Sequence, residues 1–172
     1  MCIRDRSNSG SSLGISKVIN ESEISQALEK AWRIDQRIVV EEGLEVREIE
    51  CGIIGNSQLL TSEIGEVKYE SDWYDYDSKY NLNNKITIPA EIDSTIIKQI
   101  KEIAIQSCRT LNIFGFARVD FFLEKSSNTI LLNEINTIPG FTKNSMFPML
   151  WKASGLNIEQ LVAKLVDISL DL

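Results

Sequence analysis

The hydrophobic and polar positions of this chain change period several times, and each change marks a predicted element. Between Asp93 and Leu111, the residues Ile96, Ile100, Ile103, Ala104, Ser107 and Leu111 recur at the spacing of one helix face. A helix is also predicted over Asn20–Asp35, with Ile24, Ala27, Leu28, Ala31 and Trp32 on its apolar side and Asn20 or Ser22 as cap. Near the end, Met146–Ala153 reads as a short helix stopped by Gly155. Asn157-x-x-Gln160 then opens Ile158–Leu170 as a capping box, with Leu161, Val162, Leu165 and Ile168 as the packing stripe.

Elsewhere the period is two. Arg37–Glu42 is a short apolar strand ending in carboxylates, and Glu45–Ile54 alternates Arg47, Ile49, Cys51 and Ile53 with Val46, Glu48 and Glu50. Gly55-Asn56 turns that strand into Ser57–Ser62, and Lys85–Ile88 is ended by Pro89. Gly115–Leu123 and Thr129–Glu134 form a strand pair around the Lys125–Asn128 turn, against which the Asp93–Leu111 helix is expected to pack. Helices mixed with a meander of strands predict an α+β fold with mostly antiparallel sheets. Glu66–Asn84, where aromatic and acidic residues interleave, has neither period. A stretch of that length covers a site, with Lys79 and Tyr80 on it, or is a solvated loop with aromatic anchors.

The candidate chemistry lies on the last strand pair. Arg118 and Asp120 are two apart on one strand, and Glu134 and Asn136 two apart at the exit of the next. If the strands pair, oxygen ligands and a guanidinium converge on one patch. Hard divalent cations take such ligands together with phosphate oxygens, and arginine suits an anionic reaction centre. The alternative is a solvated polar sheet face. After this pair, Pro139-Gly140 forces a turn that brings bare backbone close to whatever sits there.

Composition narrows the classes. The 172 residues are 43% hydrophobic and 25% charged, those of a globular chain with a real core, and the net charge of −7 with scattered Lys and Arg argues against nucleic acid as a partner. No apolar run has the length of a membrane span, and Met1–Lys17 lacks the apolar centre of a signal peptide. The three cysteines have no metal-type spacing; Cys51 and Cys108 read as core thiols, which suits a reducing, cytoplasmic setting. The absence of histidine rules out a serine or cysteine triad within this chain. The stretch 7–18, rich in serine and glycine, is either a loop that wraps an anion or a linker. Met1–Arg6 has no periodicity and resembles translated adapter sequence, so it is read as a leader outside the native chain, with 7–172 as the domain.

Taken together, SGSSLGISKV, VVEEGLEVREIECGIIGN, YDYDSKY, GFARVDFFL and NEINTIPGFTKNSMFP, in this order, resemble the C-terminal half of the D-alanine–D-alanine ligases, members of the ATP-grasp superfamily. The resemblance implies an ATP-grasp fold and ATP-dependent joining of two D-alanines through an acyl phosphate, for peptidoglycan precursor synthesis. It implies Mg²⁺ or Mn²⁺ held by Asp120, Glu134 and Asn136, and an oxyanion site made by Arg118 with the backbone of Gly140. Ser145 and Met146 fall where the second D-alanine is met, and Ser11 and Ser12 on the flap over the ATP phosphates. Glu41, Glu42 and Leu44 fall on the adenine hinge, Glu48 on the ribose contact, and Lys79 and Tyr80 on the closing loop. The family also implies a homodimer when full length.

One departure is specific. The family carries Lys-Pro ahead of the serine-rich loop, where this chain has Asp5 and Arg6. With the N-terminal domain of the family also missing, the chain is expected to be a truncated portion without ligase turnover of its own. Two other readings stay open at this stage: a nucleotide- or Mg²⁺-binding module without chemistry, and another ATP-grasp carboxylate–amine ligase.

Overall fold

The computed structural model describes residues 2–6, 15–68 and 85–171. They fall into two compact units, the residues up to Glu45 with Lys85 in one and 46–68 with 86–171 in the other. In the first unit β1 (Cys2–Arg6) lies between β2 (Ser16–Lys17) and β3 (Ile38–Glu41), antiparallel to both. The leader expected to be without pattern is thus a paired strand; ladder bonds are main-chain bonds and take almost any side chains. The helix of this unit, α1 (Ile24–Trp32), follows a single 3₁₀ turn whose Asn20 and Glu23 make a reciprocal capping box. Ala27 and Ala31 are buried as expected, whereas Trp32 is 61% exposed. The cluster on this side is made by Val18 and Ala27 with Ile24, Leu28 and Ile38, and Trp32 is not in it.

The second unit is a five-stranded sheet ordered β6-β5-β4-β7-β8, formed by β4 (Val46–Gly55), β5 (Leu60–Lys68), β6 (Lys85–Thr87), β7 (Gly115–Glu124) and β8 (Ile130–Asn136). The central pairs β5-β4, β4-β7 and β7-β8 are antiparallel. The strand expected over Ser57–Ser62 instead begins at Leu60 and continues to Lys68, because Glu66 is fixed in it by Arg47. Glu66 through Lys68 therefore leave the irregular stretch, and 69–84 lies outside the described residues.

Helix α2 (Ser94–Thr110) covers one face of this sheet. Its N-cap is Asp93, whose Oδ1 accepts from Thr95 N at 2.8 Å and from the Thr95 hydroxyl. Ile100, Ala104 and Cys108 meet Ile49, Cys51, Ile53, Val119, Phe121 and Leu123 in the main core. Leu111, expected on this stripe, is 61% exposed because the helix ends before it. Burial in that core pushes the Cys51 thiol up to about 12 and the Cys108 thiol up to about 11, so both are inert core thiols, as read from sequence.

On the other face, α3 (Met146–Ala153) and α4 (Ile158–Leu170) enclose Ile54 with Phe147, Trp151, Leu161 and Ile168. Val162, predicted in the α4 stripe, is 46% exposed; Leu161, Leu165 and Ile168 make the contact. Strand β4 was expected to be half-buried throughout. It is so only in its first half, since from Cys51 to Gly55 it is buried on both faces. Gly52 permits this. A Cβ there would lie 2.7 Å from Trp151 Nε1 and 3.0 Å from Ser62 Oγ, and the Ser62 hydroxyl accepts the Gly52 N–H at 2.8 Å.

Candidate active site

The face that α3 and α4 cover at one end of the sheet is polar at the other, and strand register decides which residues share it. Gly52, Arg118 and Asn136 lie in one cross-strand row of β4, β7 and β8; Glu50, Asp120 and Glu134 lie in the next. Directly paired residues project to the same side. Strict alternation along β8 would set Glu134 and Asn136 on the side of Ile130, which packs against the α2 core. A bulge prevents it. Asp120 pairs with Glu134 but Phe121 with Leu132, so Asn133 is an extra residue that reverses the sidedness. Ile130 before the bulge and Ile135 after it both pack on the α2 core, while Glu134 and Asn136 join Arg118 and Asp120.

Arg118 holds Asp120 in a two-point ion pair, Nε to Oδ1 and Nη2 to Oδ2, each at 2.7 Å. Asn136 Nδ2 donates to Asp120 Oδ2 at 2.9 Å and to Glu134 Oε1 at 3.2 Å, so its Oδ1 is the atom left to accept or to bind a cation. Glu50 was read from the sequence as a strand residue alternating with Ile49 and Cys51 and not as a site residue, yet its Oε2 lies 2.9 Å from Arg118 Nε. Because that N–H is aimed at Asp120, the buried Glu50 oxygen accepts no hydrogen bond despite the short distance. Its position two residues after Glu48 was the available signal; the register with Asp120 was not.

Two carboxylates, Glu50 and Asp120, thus contact the guanidinium, and a third, Glu134, is joined to the cluster through Asn136. Burial, then the neighbouring Asp120 carboxylate, pushes Glu50 well above the ordinary carboxylate range. Burial likewise raises Asp120, against the lowering effect of Arg118. Burial is the main cause of both shifts and the neighbouring carboxylates add to it; a divalent cation there would favour the charged forms. The donors are all oxygens, the set that Mg²⁺ or Mn²⁺ takes. Asp120, Glu134 and Asn136 therefore fit the metal that the resemblance implied.

The loop leaving β8 is anchored by buried Pro139 and by Phe141, whose ring lies 6.3 Å from Phe116 and 5.9 Å from Phe147. Gly140 is exposed between them. A Cβ on it would be 3.0 Å from Ser145 Oγ, so the structure brings Gly140 and Ser145 together. Ser145 caps α3 by position only, since its hydroxyl is turned to the Thr142 N–H at 3.0 Å. The Met146 side chain is buried against Gly65, so what Met146 can offer a ligand is its main-chain N–H in the first turn of α3. Glu48 is half-buried on β4, while Glu41, Glu42 and Leu44 are exposed residues at and beyond the end of β3, in the first unit. Ser11, Ser12, Lys79 and Tyr80 lie outside the described residues.

Residues 2–167 match the family model described as D-ala D-ala ligase C-terminus. The chain belongs to this family. A D-alanine--D-alanine ligase from Prochlorococcus marinus (strain MIT 9215) is 89% identical over 166 residues, which is 96% of this chain and 47% of the relative. Another, from strain NATL2A, is 48% identical over 98% of this chain and 49% of its own length. Among solved structures, the VanG D-Ala:D-Ser ligase from Enterococcus faecalis superposes with a TM-score of 0.83 at 39% identity, covering 92% of this chain and 46% of that one. The D-alanine-D-alanine ligase from Coxiella burnetii gives 0.80 at 36% identity, over 94% and 42%. The α+β, ATP-grasp expectation agrees with these neighbours. This member of the D-ala D-ala ligase C-terminus family spans about half the length of the relatives it matches.

Proposed function

We propose that this chain forms the metal- and phosphate-handling part of an ATP-dependent ligase that joins two D-alanines through an acyl phosphate, for peptidoglycan precursor synthesis. One observation carries the reading. Asp120, Glu134 and Asn136 gather oxygen donors beside Arg118 on the open end of a sheet face. Relatives of this family named as D-alanine--D-alanine ligases support it. A Mg²⁺ or Mn²⁺ ion held by those donors would neutralise the phosphate oxygens of ATP. The chain's own residues position and polarise. Asp120 takes two of the five N–H positions of Arg118, Nε and Nη2, leaving others for an oxyanion, with the Gly140 N–H as second donor. Ser145 and the Met146 N–H would meet the second amino acid. We propose Glu41, Glu42 and Leu44 as adenine contacts, Glu48 as the ribose contact, and Ser11, Ser12, Lys79 and Tyr80 as residues of the phosphate flap and closing loop. Reaction of this kind runs on positioning and charge neutralisation, so a chain without histidine can contribute to it.

The partners proposed with this reading are ATP, D-alanine and, for the full-length protein, a second copy. No helix among the described residues is long and apolar enough to cross a membrane, and the buried free thiols suit the cytoplasm. We also propose 7–172 as the ATP-grasp portion and 1–6 as a leader from outside it, which the upstream genomic sequence tests. Titration of the purified chain with Mn²⁺, followed by electron paramagnetic resonance, tests the site. Binding is expected, and is expected to be lost in Glu134→Ala; a Glu134→Ala chain that binds as the parent does sinks the assignment. The likeness to a D-Ala:D-Ser ligase favours one second reading, the same chemistry with a different second substrate. Assay of the full-length protein with D-alanine, D-serine and D-lactate separates the two.

A further inference from the structure

The Nε–H of Arg118 is one donor between two carboxylates. It bonds Asp120 Oδ1 at 2.7 Å, and Glu50 Oε2 lies 2.9 Å from the same nitrogen without receiving a hydrogen bond. Glu50 stands directly opposite Asp120 across β4 and β7, and its side chain is 12% exposed. A buried carboxylate oxygen beside a donor aimed elsewhere is unfavourable unless some state of the protein uses it.

We propose that Glu50 is a positioning residue, the acceptor that holds Arg118 in place when Asp120 is drawn to a divalent cation. The inference rests on Asp120, Glu134 and Asn136 being the cation donors. Asp120 already accepts from Arg118 through both oxygens and from Asn136 through Oδ2. A cation bound by Asp120 competes for those lone pairs and repels the guanidinium. With Asp120 as sole acceptor, Arg118 would lose its orientation just as the site loads. Glu50 is already at contact distance, so the Nε–H has only to turn from one carboxylate to the other. Arg118 then keeps its remaining N–H groups aimed at the site, and the cation gains the Asp120 oxygens.

The test uses the whole 172-residue chain and its Glu50→Ala, Glu50→Gln and Glu134→Ala variants. Mn²⁺ is the binding probe, and solvent exchange of the Arg118 Nε–H, read by ¹⁵N NMR with and without saturating Mg²⁺, reports the hydrogen bond. Glu50→Ala is expected to bind Mn²⁺ about tenfold to a hundredfold more weakly, the usual effect of removing a group that orients a metal ligand. Its Nε–H is expected to exchange faster than in the parent only when Mg²⁺ is present. Glu50→Gln, whose amide oxygen still accepts, restores the protection without restoring the charge. Glu50→Ala that matches the parent in both readouts, while Glu134→Ala loses Mn²⁺, overturns the role of Glu50 alone. Glu134→Ala that binds Mn²⁺ normally overturns the cation assignment beneath it. If Glu50→Ala does not fold, the parent decides: an Arg118 Nε–H signal that does not move when Mg²⁺ is added rejects the proposal.

Discussion

Gly52 and Glu66 show how single positions hold the sheet that carries the site. Alanine at Gly52 would place its Cβ 2.7 Å from Trp151 Nε1, in a layer with no slack. Gly52→Ala is therefore expected to lower stability by about 1–3 kcal/mol, the usual cost of overpacking, measured as a fall in the urea midpoint. Glu66 is 3% exposed and takes two hydrogen bonds from Arg47, Nε to Oε1 at 2.7 Å and Nη2 to Oε2 at 2.8 Å. Burial raises its pKa, but the Arg47 bonds and charges outweigh burial and hold it below the ordinary value. A depressed carboxylate stabilises the fold above its unfolded pKa of about 4.3 and loses that contribution as pH falls through the folded value. Glu66→Gln should thus be less stable than the parent at pH 7, and the gap should close in acid; a gap constant from pH 7 to pH 3 would contradict this.

At the level of elements, the decisive feature is the bulge at Asn133. It turns Glu134 and Asn136 away from the α2 core and sets them beside Arg118 and Asp120. Removing Asn133 would make Leu132 and Glu134 neighbours in a regular strand, and plain alternation in the same pairing would keep Glu134 and Asn136 on the side of Arg118 and Asp120. We expect the deletion to leave Mn²⁺ binding in place, because the Asp120–Glu134 and Arg118–Asn136 pairs survive it. Loss of Mn²⁺ binding in a folded deletion variant would show that the bulge does more than choose the side on which these residues project. The residue types of this strand were legible in the sequence, and so was their convergence on β7. The reversal was not, because a bulge changes which side a residue faces without leaving a mark in local periodicity. In the helices the difficulty was of another kind. Trp32, Leu111 and Val162 fit the apolar period but are exposed, because the area actually covered is narrower or ends sooner than the stripe.

For the whole molecule, the cluster of Arg118, Asp120, Glu134, Asn136 and Glu50 lies wholly within the second unit, on a sheet packed by helices on both faces. Cation binding is accordingly expected of this chain by itself. Ligation demands more groups than that cluster provides, and the relatives that bear the ligase name are about twice as long. We expect the purified chain to release no ADP in response to D-alanine while still binding Mn²⁺. D-alanine-dependent ADP release above background, in a coupled assay, would refute that division of labour.

By itself the sequence determined the helices, most of the strands, the α+β class and the residue types of the metal patch, because period, caps and turn residues act locally. Its motifs also pointed to the family that the comparisons then showed. The tertiary structure decided what depends on pairing between distant segments: the burial of β4 on both faces, the side on which Glu134 and Asn136 project, and the place of Glu50. Glu50 and Arg118 meet because Glu50 registers against Asp120 across two strands far apart in the chain. Local pattern carries no information about that register, which is set by the packing of whole strands.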